Sequence, residues 1–256
     1  MPKRGVGIFW LGGLSLAFKG PAQCVHVVDP AFSDREDEGP VGVIDVRPDM
    51  VLCTLKAPDR IDLSTLTHMA AAFPEARFVA SARGREWMIG RGGRHTWDEA
   101  PIDPRRVYAI GAGERLDVRK LGVRDLLKVQ VLSHDDEQEE ECSRNALLNF
   151  AGIHICLARD VATPDGVDRL CEAVGRQVDV LIWPVASRHA TGVCEAVSRL
   201  RPRYVVAVGY DGFPGGRTAA RRFREAIVGI GGAKVYLFPE DYLEGLVYSR
   251  IMRRRR

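Results

Sequence analysis

The stretch Met50-Val51-Leu52-Cys53-Thr54-Leu55-Lys56-Ala57-Pro58-Asp59-Arg60-Ile61-Asp62-Leu63-Ser64 decides the fold. It opens on a short apolar run, Met50 to Cys53, of the kind a buried strand needs. Thr54 and an irregular segment follow. Asp62-Leu63-Ser64 then reads as a helix start, because an aspartate there accepts hydrogen bonds from the first free backbone N–H groups. Leu63, Leu66, Met69, Ala70 and Phe73 fall on one helical face, so the spacing predicts a helix over 64–73, stopped by Pro74.

Working outward, 6–11, 14–18 and 24–28 are short β-rich segments separated by turns with Gly or Pro, and 41–46 continues the pattern. A strand over 77–80 follows the helix, and further strands are expected over 107–110, 116–118, 123–131 and 153–157. The period then changes. Helices over 165–174, 192–200, 218–228 and 241–251 alternate with strands over 178–183, 204–208 and 234–238. Two strand-rich stretches, each followed by helical material, predict an α/β (α+β) fold, a four-layer αββα sandwich with two sheets face to face. No Gly/Ser linker divides the chain, so residues 1–252 read as one domain and 253–256 as a basic tail.

Composition bounds the function. The chain has 256 residues, is 46% apolar and carries a net charge of +3, which is enough to bury a large core and excludes a strongly acidic or basic scaffold. Nucleic-acid binding would have to rest on Arg217, Arg221, Arg222, Arg224 and the 253–256 tail, and the near-balanced charge disfavours it. The cysteines at 24, 53, 142, 156, 171 and 194 form no Cys-x-x-Cys pair and read as small buried hydrophobes of a reducing compartment. No apolar run approaches the ~20 residues of a membrane span, and glycines break the N-terminal apolar stretch, so no membrane association and a cytoplasmic location are expected.

Several segments share an order with a known family. Trp10-Leu11-Gly12 is followed by Val27-Val28-Asp29-Pro30, Pro48-Asp49-Met50-Val51-Leu52, and then Phe73-Pro74-Glu75-Ala76-Arg77-Phe78-Val79. Later come Gly113-Glu114-Arg115-Leu116-Asp117-Val118, Ala158-Arg159-Asp160 and Val178-Asp179-Val180-Leu181-Ile182-Trp183-Pro184-Val185. Over nearly the whole chain this resembles the metallo-β-lactamase superfamily, and within it the L-ascorbate-6-phosphate lactonase-like branch. The resemblance implies zinc-dependent hydrolysis at a two-metal site, where zinc takes imidazole and carboxylate ligands and activates water.

The metal motif is degenerate. Where the family carries Thr-His-x-His-x-Asp-His-x-Asp, Leu55 and Ala57 replace the first two histidines and Arg60 the third, while Asp59 keeps the acidic position. His134 matches the later histidine and Asp160 the bridging carboxylate, but the final histidine falls on Gly209. Asp59, His134 and Asp160 are therefore the residual metal candidates, for zinc or manganese. Asp29, Arg60, Asn149 and Tyr210 are the expected cleft residues, with Arg60 standing in for a metal by pairing with Asp59 or Asp160. The implied protein has lost dinuclear-zinc hydrolysis, works without a cofactor and acts as a ligand-binding or assembly protein. Its implied partners are a small anionic ligand or a second copy of itself. The alternative is an active metal-dependent hydrolase of a lactone or phosphorylated sugar derivative, with an altered mononuclear site.

Overall fold

Val51 and Leu52 are neighbours in one strand, yet each is buried in a different hydrophobic cluster. Successive strand residues face opposite ways, so a strand apolar at both must be covered on both sides. The computed structural model of the chain describes residues 5–20, 23–32, 45–54, 61–91, 101–120, 123–132, 145–150, 152–159, 161, 163–185, 190–238 and 245–249.

The described residues form two seven-stranded sheets. The first contains β1 (Gly5–Gly12), β2 (Ser15–Lys19), β3 (Val25–Val28), β4 (Met50–Leu52), β5 (Arg77–Ala80) and β6 (Val107–Ala109), with β14 (Gly245–Ser249) added beside β1. The second holds β7 (Arg115–Lys120), β8 (Val123–Val131), β9 (Ala146–Phe150), β10 (Ile153–Leu157), β11 (Val180–Pro184), β12 (Tyr204–Val208) and β13 (Lys234–Tyr236). In each sheet half the pairings are antiparallel, and β3 to β6 and β10 to β13 run parallel.

Between the sheets, Val28, Leu52 and Val79 meet Leu148, Phe150 and Ile155, and Phe18 stacks on Phe150 with ring centroids 5.6 Å apart. Outside the first sheet, α1 (Leu63–Ala72) and α2 (Ala82–Met88) bury Leu66, Met69 and Met88 against Val27, Val51 and Phe78. The helices α3 (Pro164–Val174), α4 (Ala190–Leu200) and α5 (Gly216–Ile227) contribute Leu170, Val197 and Phe223 to the core of the second sheet. The expected αββα layering is present.

Local chemistry explains the boundaries. Asp62 caps α1 by accepting from Thr65 N at 2.9 Å. Its far end is held by Arg106, which donates to Ala70 O, Phe73 O and Ala76 O at 2.9, 2.8 and 3.1 Å. A helix ends with unsatisfied carbonyls, and a guanidinium fork serves several of them at once. Thr163, Pro164 and the left-handed Gly175 (φ 58°) fix the two ends of α3.

One expected element is corrected. The helix read over 241–251 is, at its described residues, the strand β14, paired antiparallel with β1 from Gly5↔Ser249 to Phe9↔Gly245. Leu246 joins the core opposite Ile8, and a Cβ on Gly245 would lie 2.5 Å from the Phe9 ring, so the strand packs only with glycine there. Two elements not expected, α2 and β9, complete the layers. Of the strand expected over 41–46, residues 41–44 lie outside the described residues, and Val46 is in no strand. Among the described residues no helix is long and apolar enough to cross a membrane.

Candidate functional site

Four elements bring their ends together at one edge of the sandwich: the turn between β1 and β2 and the carboxyl ends of β3, β10 and β12. Asp29, just after β3, is buried and adopts a left-handed backbone (φ 48°), a conformation that aspartate tolerates better than most residues. Its carboxylate is densely used. Oδ1 accepts from Thr54 N at 2.6 Å, and Oδ2 accepts from Thr54 Oγ1 at 2.5 Å. Its backbone O accepts from Ser15 Oγ at 2.6 Å.

From the opposite sheet comes Arg159, two residues after β10. Its Nη2 lies 3.1 Å from Asp29 Oδ2, with the two side chains 0% and 1% exposed, and donates to Leu14 O at 2.9 Å. The Arg159 backbone N–H donates to Asn145 Oδ1 at 2.7 Å, which ties in the start of β9. Burial lowers the Arg159 pKa, and the charge and hydrogen bond of Asp29 oppose that shift. Arginine stays protonated under such pressure. A guanidinium has five N–H bonds, and Nε and Nη1 of Arg159 are buried with no hydrogen-bond partner among the described residues.

Close by, burial and the Asp29 charge push the Cys53 thiol well above its ordinary value, so it is no nucleophile. After β12, Gly209 has φ 75°, and a Cβ there would lie 3.1 Å from Leu14 Cδ2. Asp211 accepts from Gly13 N through both carboxylate oxygens, at 3.0 and 2.7 Å.

The structure brings together only part of the expected set. Asp29 stands at this edge. Tyr210 is there too but turned inward: it is 1% exposed, its ring packs 4.6 Å from Trp10 and its hydroxyl donates to Phe238 O at 3.0 Å. Asn149 is not brought in. It lies toward the other end of β9 from Asn145, where its Oδ1 accepts from Gly152 N at 2.8 Å and its amide meets His154 Nε2 at 3.2 Å. Asp59, Arg60, His134 and Asp160 lie outside the described residues.

The sequence alone marks Arg159 only as the residue before Asp160. The available signal was a charge directly after the apolar strand Ile153–Leu157 and Ala158. In the described part of the edge the Asp29 oxygens are committed to Thr54 and Arg159, and Gly209 has no donor. Among the described residues no group of three or more His, Cys, Asp or Glu could hold a metal ion.

Three solved structures share this arrangement of sheets and helices. Igni18, a metallo hydrolase from Ignicoccus hospitalis, is 14% identical with a TM-score of 0.67, covering 96% of this chain and 99% of its own. YhfI from Bacillus subtilis, a metallo-β-lactamase fold protein, is 10% identical with a TM-score of 0.62, covering 97% and 100%. The chain has the metallo-β-lactamase fold. Zinc-bound PqqB from Methylobacterium extorquens is 12% identical with a TM-score of 0.53, covering 92% and 87%. No family model and no curated protein matches the sequence. The likeness is thus one of architecture, and within this metallo-β-lactamase fold the chemistry must be argued from Asp29, Arg159 and their neighbours.

Proposed function

We propose that this chain is a lactonase-like metallo-β-lactamase-fold protein that has lost dinuclear-zinc hydrolysis and uses the old cleft to bind a small anionic ligand. The observation that carries the reading is the buried Arg159–Asp29 pair. Arg159 directly precedes Asp160, the expected bridging carboxylate, and so sets a permanent cation beside the place where a dication would be held. Its Nε and Nη1, without partners among the described residues, favour oxygen anions, the partners guanidinium binds most strongly. Arg60, by its place in the motif, adds a second cation that pairs with Asp59 or Asp160. Gly209 leaves the last histidine position without a donor.

The test is a calorimetric titration of the protein with zinc and, separately, with manganese. The proposal expects no saturable uptake near neutral pH. Tight uptake that disappears in Asp160→Ala and His134→Ala would instead favour an active mononuclear hydrolase and would justify a lactone and phosphoester screen.

A further inference from the structure

A second concavity lies away from the Arg159 edge, on the outer face of the second sheet. Phe150 packs inward on Phe18, so by strand alternation Leu147 and Asn149 face outward, beside the last turn of α3. The groove they share with β7 and β8 has a volume of about 390 Å³, within the range of small-molecule sites.

Its charges are unusual for a chain so nearly balanced. Arg115 on β7, Lys128 on β8 and Arg176 beyond α3 all line it, and each is exposed. Asp117, the one acid of the lining, is the register partner of Lys128. The carboxyl end of α3 accounts for a cation at Arg176, because the helix dipole is negative there. It does not account for Arg115 or Lys128, which come from separate strands. Three cations against one acid around a polar hollow leave a net positive charge there, and an oxyanion between them relieves their mutual repulsion.

We propose that this groove is a ligand site for a phosphate group carried by a small molecule. Arg115, Lys128 and Arg176 are its anion-binding residues. This site is independent of the reading of the Arg159 edge, and either can fail alone.

The test is equilibrium dialysis of the full chain against radiolabelled inorganic phosphate at low ionic strength. Lys128→Glu and Arg176→Glu are compared with Arg221→Glu on the exposed face of α5. All three positions are exposed, so folding should survive, and circular dichroism checks it. The site predicts saturable binding that weakens about tenfold or more in Lys128→Glu and Arg176→Glu and is unchanged in Arg221→Glu. Absence of saturable binding by the unsubstituted protein would overturn the proposal. So would equal binding in all four proteins, which would place the phosphate elsewhere, the Arg159 edge included.

Discussion

Arg159 Nη2 lies 3.1 Å from Asp29 Oδ2, and this contact joins the carboxyl end of β10 in one sheet to that of β3 in the other. Through Thr54, Ser15, Leu14 and Asn145 the same two residues also engage the chain after β4, the β1–β2 turn and the start of β9. The open edge of the sandwich is therefore held by a buried ion pair.

Removing one partner of such a pair strands the other charge in a dry site. Asp29→Asn and Arg159→Met should each destabilise the protein by about 3–5 kcal/mol, read by denaturant unfolding. The double variant should cost clearly less than the sum, because no uncompensated charge is left. Strict additivity would mean that the two residues act separately.

The thiols make stability depend on alkaline pH. Burial, and to a lesser degree Asp29, raises the pKa of Cys53, and burial followed by Cys171 raises that of Cys156. As pH rises past the ordinary thiol value of 9.0, the unfolded chain releases these protons while the folded chain keeps them. The unfolded state then binds fewer protons, so stability is full below that pH and falls above it. Urea midpoints measured from pH 7 to 10 should decline at the alkaline end, and Cys53→Ala with Cys156→Ala should flatten the decline.

Placing a histidine at position 209 should not create a metal ligand. The left-handed backbone (φ 75°) and the 3.1 Å approach to Leu14 both resist any side chain there. Gly209→His should lose about 1–3 kcal/mol in thermal or denaturant unfolding and gain no zinc affinity by calorimetry.

Arg106 holds the end of α1 through three carbonyls. Arg106→Lys keeps the charge but lacks the planar fork, so it should destabilise by about 1–2 kcal/mol, and Arg106→Met by more. Amide exchange should localise the loss to the last turn of α1.

Much of this fold was legible where local pattern and tertiary demand agree. The run Val123–Val131, whose second half Leu127-Lys128-Val129-Gln130-Val131 alternates apolar and polar residues, is β8, and Tyr204–Val208 is the fully apolar parallel strand β12. The pattern failed where the deciding partner is distant. Residues 241–251 carry apolar positions at helical spacing, but Gly245–Ser249 is drawn into a strand by β1 from the other end of the chain. Ala146–Phe150, in which only Phe150 has a strong strand preference, becomes β9 through its pairing with β8 and β10. At the site, Asp29 was legible because Asp-Pro after a strand marks a turn whose carboxylate orients its neighbours. Its partner was not, because nothing local to Ala158-Arg159-Asp160 says that the guanidinium crosses to the other sheet.

The central proposal is that a buried arginine, rather than a pair of metal ions, occupies the working edge of this metallo-β-lactamase fold. The most direct test is elemental analysis of protein purified without chelator and again after incubation with zinc and manganese. The account predicts far less than one metal per chain in both samples. One or two metals per chain, lost on replacing Asp160 and His134 with alanine, would contradict it.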